Sequence, residues 1–226
     1  MGYLLLEGGA EFGGRIREPD LKAIELAGGF DAQICIIPTA AAPDNNHERA
    51  GNNGIRWFQS MGAKDVSSLP IIDKASANDE SIARSLREAK LIYMLGGFTG
   101  FLGETLKGSA AWQAALEAYA NGAVVAGSSA GAMVMCEFYY DPSRGQVVDG
   151  LNLVRNAIVM PHYDTFGKSW ASRLLEIPRV TLIGIDEQTG MLDDGAGTWT
   201  VHGAGNVTLY RNQEIEIYEA GKTFSV

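Results

Sequence analysis

The sequence of 226 residues predicts an α/β fold in which helices cover both faces of a doubly wound, mostly parallel sheet. Two observations support this prediction. Short apolar, branched runs alternate with helical patterns through the first four fifths of the chain, and most of these runs are apolar on both faces. Strands buried on both sides are typical of parallel sheets that helices cover. The predicted strands are Tyr3-Leu6, Ile34-Ile37, Val66-Leu69, Leu91-Leu95, Ala123-Ala126, Ile158-Met160 and Thr181-Ile185.

Helices are predicted between several of these strands, from their capping residues and early acidic residues. Ser109, for example, caps a helix that Asn121-Gly122 closes. The stretch Ala40-Gly54 is predicted to be a long irregular loop. The predicted helices are Leu21-Ala27, Ser76-Ala89 and Ala110-Ala120.

The pattern changes at Thr198 to short runs separated by Gly or Asn turns, which is typical of an antiparallel meander. We expect this meander to extend or flank the main sheet, so that residues 1–226 form a single domain. The runs are Thr198-Val201, Asn206-Tyr210, Glu214-Tyr218 and Lys222-Val226.

Composition narrows the classes of function. The formal net charge of -9 argues against nucleic acid or an anionic membrane as a partner. The N-terminus has no basic segment, and no apolar run reaches the length of a membrane span, so we expect a soluble, cytoplasmic protein. Cys35 and Cys136 both lie in apolar runs, which predicts buried thiols and no disulfide.

The most informative motif is Gly127-Ser128-Ser129-Ala130-Gly131, which lies between the apolar runs Ala123-Ala126 and Ala132-Met135. This placement predicts a sharp turn from a strand into a helix, with Ser129 at its tip. Such a turn exposes the serine hydroxyl and directs backbone N–H groups towards an oxyanion. Glycines are needed on both sides because the turn leaves no room for Cβ atoms. Ser129 is therefore the candidate nucleophile.

Functional groups gather at the carboxyl ends of parallel strands, so partners for Ser129 are sought there. Gly96-Gly97 follows one strand, and the N–H of Gly97 could form an oxyanion hole with that of Ala130. His162 follows a second strand and could supply the base that a serine hydroxyl needs. Asp186-Glu187 follows a third and offers a carboxylate to orient the imidazole.

Two triads can be drawn from these residues. Ser129, His162 and Glu187 use three strand ends in succession. Alternatively, Ser129, Asp186 or Glu187, and His202 would follow the chain order of α/β-hydrolases, which also carry a Gly-x-Ser-x-Gly turn. His202 lies inside the predicted meander, and no His-Gly-Gly loop precedes the serine turn, so the sequence favours His162.

Several motifs, in one order, resemble the cyanophycinase and dipeptidase E (aspartyl dipeptidase) family of serine peptidases. The resemblance covers nearly the whole chain and implies a fold like that of class I glutamine amidotransferases, with serine replacing their nucleophilic cysteine. It implies that Ser129 is the nucleophile, His162 the base and Glu187, as in cyanophycinases, the orienting acid. In the dipeptidase E branch that acid is an aspartate shortly after the serine, which leaves Asp141 and Asp149 as alternatives. The motifs are Ile36-Ile37-Pro38-Thr39-Ala40, Gly96-Gly97, Gly127-Ser128-Ser129-Ala130-Gly131-Ala132, Pro161-His162-Tyr163 and Gly184-Ile185-Asp186-Glu187.

Two departures bear on the substrate. Cyanophycinases resemble one another in carrying Gly-Gly-Asp-Gln at the oxyanion turn and Asp-Gln-His before a nearby arginine. This chain lacks those polar groups, so a substrate other than cyanophycin is expected. The residues expected to bind substrate are Phe98, Thr99, Tyr163 and Asp164. Cations available for a substrate carboxylate are Arg144, Arg155, Lys168 and Arg173.

The predicted function is that of a serine-type peptidase, an exopeptidase or dipeptidase, that cleaves a peptide or isopeptide bond of small peptides through an acyl-enzyme. No metal or organic cofactor is expected, since the three histidines show no ligand spacing. The resemblance also implies a homodimer. Two alternatives stay open: a carboxylesterase-type hydrolase that uses Ser129 and His202, and a non-catalytic, ligand-binding member of the amidotransferase-like fold.

Overall fold

The computed structural model of this chain describes residues 1–211 and 214–226. Its strands form an eight-stranded sheet, a four-stranded sheet and a two-stranded hairpin. In chain order they are β1 (Tyr3–Glu7), β2 (Gln33–Ile37), β3 (Asp65–Ser68), β4 (Leu91–Met94), β5 (Val124–Ser128), β6 (Phe138–Asp141), β7 (Gln146–Asp149), β8 (Ala157–Met160), β9 (Thr181–Ile185), β10 (Thr189–Asp193), β11 (Thr198–Gly203), β12 (Asn206–Arg211), β13 (Glu214–Glu219) and β14 (Thr223–Ser225).

The eight-stranded sheet has the order β14-β11-β10-β1-β5-β4-β2-β3. The five strands β1, β5, β4, β2 and β3 are parallel to one another. Strands β10, β11 and β14 continue the sheet beyond β1 in antiparallel pairs. The predicted fold class, an α/β fold with a mostly parallel central sheet, is confirmed.

Helices cover both faces of this sheet. Helices α1 and α2 contribute to the core on one face. Helices α3, α4, α5 and α6 contribute to the core on the other face. None of the helices in residues 1–211 and 214–226 is both long enough and apolar enough to cross a membrane. The helices are α1 (Arg17–Leu26), α2 (His47–Ser60), α3 (Glu80–Glu88), α4 (Thr99–Leu106), α5 (Ala110–Ala120), α6 (Ala130–Met135) and α7 (Ala171–Leu174).

Alternate residues of the parallel strands enter the two cores. In β1, Leu4 and Leu6 belong to one core and Leu5 to the other. This alternation explains why the strands are apolar on both faces. Cys35 and Cys136 are buried free thiols, as predicted, and both lie in the core that contains Leu4.

Helix α2 contradicts the prediction of a loop over Ala40-Gly54, because it begins at His47. Its glycines face the sheet. A Cβ on Gly51 would lie 2.1 Å from Ser68 Oγ, and one on Gly54 would lie 2.7 Å from Ile36 Cδ1. Glycine disfavours a helix locally, so close packing against the sheet, and not local propensity, stabilises α2.

The C-terminal strands also differ from the prediction of one meander. Strands β11 and β14 extend the main sheet, as expected, whereas β12 and β13 join β9 and β8 in the four-stranded sheet. The division arises because an additional strand that the sequence pattern does not predict, β10, pairs with both β1 and β11. Strand β12 pairs instead with β9. Strands β8 and β9, predicted for the main sheet, are therefore parallel partners in the second sheet.

Candidate active site

Ser129 lies between β5 and α6 in a strained backbone conformation, with φ 50° and ψ -112°. Its flanking glycines are required by close packing. A Cβ on Gly127 would lie 2.5 Å from Gly131 C, and one on Gly131 would lie 2.2 Å from Met94 O. The backbone N–H of Ser129 donates to the carbonyl of Glu7 at the end of β1, at 3.0 Å. The predicted strand-to-helix turn is therefore present and is fixed to the neighbouring strand.

His162 follows β8 and faces Ser129. Its Nε2 lies 3.0 Å from Ser129 Oγ. Gly9 lies against the imidazole, and the ring of Phe166 stacks on it at a centroid distance of 4.8 Å. The backbone N–H of His162 donates to Gly8 O at 2.7 Å. The residues after β1 thus position the histidine as well as the serine.

Glu187 follows β9 and completes a continuous chain of side chains. Its Oε1 lies 2.7 Å from His162 Nδ1, on the side of the ring opposite to Ser129. The backbone N–H of Glu187 donates to Asp164 Oδ1 at 2.9 Å, so Asp164 holds the segment that carries the glutamate. The structure brings together the three residues of the first triad drawn from the sequence.

Backbone N–H groups beside Ser129 are available to an oxyanion. Within the described part of the chain, neither the N–H of Gly97 nor that of Ala130 donates to another protein group. Gly97 has φ 137°, and a Cβ there would lie 2.4 Å from Ala40 O, so only glycine fits. The preceding N–H, that of Gly96, donates to Glu11 Oε1 at 3.1 Å.

The alternative triad residues have other partners. His202 Nδ1 lies 3.5 Å from Glu18 Oε1, on the outer part of the main sheet. Asp141 is buried and accepts hydrogen bonds from the backbone and hydroxyl of Ser143. Asp149 is exposed and forms an ion pair with Lys107, and Asp186 accepts from the backbone of Asn206. None of these contacts involves Ser129 or His162.

The four residues expected to bind substrate differ in how far their side chains are exposed. Tyr163 is a correction: its side chain is buried in the core, its hydroxyl bonds to that of Tyr210, and it does not line the cleft in front of Ser129. Asp164 supports the Glu187 backbone instead. Thr99 is buried, and its hydroxyl donates to Met133 Sδ. Phe98, which follows Gly96-Gly97, is 43% exposed. Of the four residues, Phe98 and Asp164 are exposed.

A cleft of about 300 Å³ opens in front of Ser129 and His162. One wall is a face of α2 and its entry, because Asn46, Arg49 and Asn53 recur at the spacing of helix turns. The sequence pattern does not indicate these residues, because it predicts a loop over this segment. The side chains that line this wall and the adjoining floor are Glu11, Phe12, Asn46, Arg49 and Asn53.

Glu7, whose carbonyl accepts the backbone N–H of Ser129, and Asp20 on α1 carry buried carboxyl groups. Glu7 Oε2 accepts a hydrogen bond from the Tyr93 hydroxyl at 2.5 Å, and Asp20 Oδ2 accepts one from Trp57 Nε1 at 2.7 Å. Burial raises the pKa of Asp20 to about 7. Burial, together with the nearby charge of Asp20, raises the pKa of Glu7 well above its ordinary value. The carboxyl group of Asp20 therefore retains its proton at mildly acidic pH.

The imidazole of His162 is placed for proton transfer, and the N–H groups of Gly97 and Ala130 are available to bind an oxyanion. Across residues 1–211 and 214–226, no three His, Cys, Asp or Glu side chains come together in a group that could hold a metal ion.

Comparison with known proteins identifies the family. The sequence model of peptidase family S51 matches residues 4–198. The chain belongs to this family. Membership makes the protein a serine-type peptidase, a hydrolase, in agreement with the prediction.

Individual proteins similar to this chain include cyanophycinases and peptidases of known structure. The chain is 27% identical to a cyanophycinase of Synechococcus elongatus, over 95% of this chain and 69% of that protein. It is 29% identical to a cyanophycinase of Geminocystis herdmanii, over 97% and 84%. The crystal structure of a peptidase from an acI-B1 actinobacterium superposes with a TM-score of 0.90 at 30% identity, covering 100% of this chain and 97% of that one. A putative peptidase E protein from Listeria monocytogenes shares the fold, with a TM-score of 0.69 at 23% identity over 91% of this chain and 100% of that one.

Proposed function

We propose that this family S51 peptidase cleaves a peptide or isopeptide bond of small peptides through a Ser129-His162-Glu187 triad and an acyl-enzyme. The observation that carries the proposal is the unbroken chain from Ser129 Oγ through the imidazole to Glu187 Oε1, with distances of 3.0 and 2.7 Å. Both distances lie within the range of hydrogen bonds that transfer or orient a proton.

Each group has a distinct role in the first half of the reaction. Glu187 accepts the Nδ1–H of His162, which leaves Nε2 as the acceptor for the Ser129 hydroxyl proton. As Oγ attacks the substrate carbonyl carbon, His162 takes this proton and Glu187 stabilises the imidazolium. The N–H groups of Gly97 and Ala130 donate to the oxyanion of the tetrahedral intermediate.

The second half of the reaction returns the enzyme to its starting state. The C–N bond breaks, and the leaving amine takes the proton from His162 Nε2. Water then gives a proton to Nε2 while its oxygen attacks the acyl carbon, and Ser129 leaves with that proton restored. The mechanism needs no group beyond these five residues and water.

The dimensions of the cleft support a small substrate. A volume of about 300 Å³ is at the lower end of the range for small-molecule sites. The strained backbone of Ser129 and the left-handed backbone of His162, with φ 48°, support a catalytic use, because such strain concentrates at functional sites. The alternative use of His202 has no comparable support, since its partner is Glu18.

The test is hydrolysis of a set of dipeptides and isopeptides by the Ser129→Ala variant. We expect the variant to fold normally and to lose turnover by about 10⁴-fold or more. The matched control is Ser128→Ala, because the neighbouring Ser128 hydroxyl is buried and has no hydrogen-bond partner among the described residues. Undiminished turnover in Ser129→Ala would refute the proposal.

A further inference from the structure

Glu11 is the anionic group beside the proposed nucleophile. Its Oε1 accepts the backbone N–H of Gly96 at 3.1 Å. A Cβ built on Gly96 would lie 2.4 Å from this oxygen and 3.0 Å from Ser129 Cβ, so the carboxylate and the serine flank the same glycine. Among the described residues, the Glu11 side chain makes no hydrogen bond other than this one. The mechanism above makes no use of this charge.

Arg49 is a cationic group that lines the same cleft. It lies on the wall formed by α2, and its side chain forms no ion pair with an acidic residue among those described. None of the cations suggested by the sequence, Arg144, Arg155, Lys168 and Arg173, lines this cleft. Two of them have partners elsewhere: Arg144 pairs with Glu104, and Arg173 donates to the Tyr140 hydroxyl. Arg49 is therefore the cation that the structure offers to a ligand in front of Ser129.

Glu11 and Arg49 line one cleft of about 300 Å³ without forming an ion pair with each other. A cleft with an anion and a separate cation complements a small zwitterion. We propose that Glu11 binds the free α-ammonium group of the substrate and that Arg49 binds its carboxylate. This inference rests on the proposed function, because it assigns charges around the bond that Ser129 attacks.

Covalent geometry supports this assignment. In a peptide with a free amino terminus, the ammonium-bearing carbon is bonded to the carbonyl carbon of the first peptide bond. Attack by Ser129 on that carbonyl therefore brings the ammonium close to the serine, where Glu11 lies. The carboxylate of a dipeptide is on the other side of the scissile bond, within reach of a long arginine side chain. An amino-terminal exopeptidase that favours dipeptides would need these two anchors.

The first experiment needs no variant. The best-cleaved member of the complete set of free dipeptides is compared with its N-acetyl derivative and with its carboxamide. Loss of one charge-assisted hydrogen bond predicts that each blocked form has a kcat/KM lower by about tenfold or more. Equal kcat/KM values for the free and the N-acetyl substrate would overturn the role of Glu11, and equal values for the free substrate and the carboxamide would overturn that of Arg49.

The second experiment uses Glu11→Gln, which keeps an acceptor for the Gly96 N–H and removes the charge. We expect kcat/KM for the free dipeptide to fall by about tenfold or more, and that for the N-acetyl form to change by less than about twofold. Glu48→Gln is the matched control, because it removes a nearby exposed charge that does not line the cleft. An equal fall for both substrates would show a structural role and overturn the proposal.

Arg49→Gln is tested in the same way against the carboxamide, with Arg84→Gln on α3 as its control. An unchanged preference for the free carboxylate would overturn the role of Arg49. The Ser129→Ala variant distinguishes a failure of the proposed function from a failure of the role of Glu11. If it retains turnover, the proposed function fails; if it loses turnover while Glu11→Gln keeps its preference for free amines, only the role of Glu11 fails.

Discussion

Gly9 lies directly against the imidazole of His162. A Cβ built on Gly9 would come within 2.3 Å of His162 Cε1 and 2.6 Å of Nε2, the atom that faces Ser129. Gly9 also has φ 117°, a conformation that other residues rarely adopt. The position of the histidine ring therefore depends on the absence of a side chain at the end of β1.

Replacement of Gly9 by Ala should displace His162 from Ser129. We expect kcat to fall by about 100-fold or more, because displacements near 1 Å have effects of that size. The left-handed backbone should also lower the free energy of unfolding by about 1–2 kcal/mol. Gly28→Ala is the control, since Gly28 has φ 108° and a Cβ there would contact nothing within 4 Å. Comparable losses of activity in the two variants would contradict this account.

The orienting acid is tested by Glu187→Gln. An amide at this position can stabilise the wrong histidine tautomer and cannot stabilise the imidazolium, so we expect kcat to fall by about 10³- to 10⁴-fold. Asp149→Asn, which changes the exposed alternative acid on β7, should leave kcat nearly unchanged. Steady-state kinetics on one peptide substrate would measure both variants. The opposite ranking would assign the acid to the aspartate.

The buried carboxyl groups predict how stability depends on pH. Glu7 and Asp20 both have pKa values raised by burial in the folded protein, with Glu11 and Tyr93 as titratable neighbours. A raised pKa means that the folded state binds more protons than the unfolded state. The stability contributed by each group is present below its unfolded pKa and is lost as pH rises through the folded value.

For Asp20 this loss should extend from about pH 4 to the folded pKa of about 7, at up to about 1.4 kcal/mol per pH unit. Urea unfolding across this range should show the decline, and Asp20→Asn should reduce it while retaining an acceptor for Trp57 Nε1. Asp31→Asn, at an exposed ion pair with Lys64, should leave the slope as it is. A slope unaffected by Asp20→Asn would contradict the assignment.

The sequence predicted the residues brought together at the site because their signals are local. Ser129, His162 and Glu187 each follow a buried strand, and the structure brings these strand ends together although β5 belongs to one sheet and β8 and β9 to the other. The sequence therefore predicted that these three side chains lie close together, although it placed β8 and β9 in the main sheet and they lie in the second one.

The remainder of the site depends on tertiary packing and could not be predicted. Helix α2 has glycines and polar residues that favour a loop locally, and only its fit against the sheet stabilises it. Because a loop was predicted there, the sequence could not indicate that Arg49 lies on the helix face that lines the cleft. Glu11 and Phe166 lie in irregular segments, whose contacts no periodic pattern indicates. Gly9 was one glycine among 28, and its role is apparent only from the ring beside it.

The central claim is that His162 activates Ser129 as a nucleophile. The most direct measurement is the intact mass and peptide map of the protein after reaction with a fluorophosphonate probe. We expect one adduct, on Ser129, that is lost in Ser129→Ala, is formed far more slowly in His162→Ala and forms at the parent rate in His202→Ala. Labelling that requires His202 and not His162, or an adduct on another residue, would contradict the account.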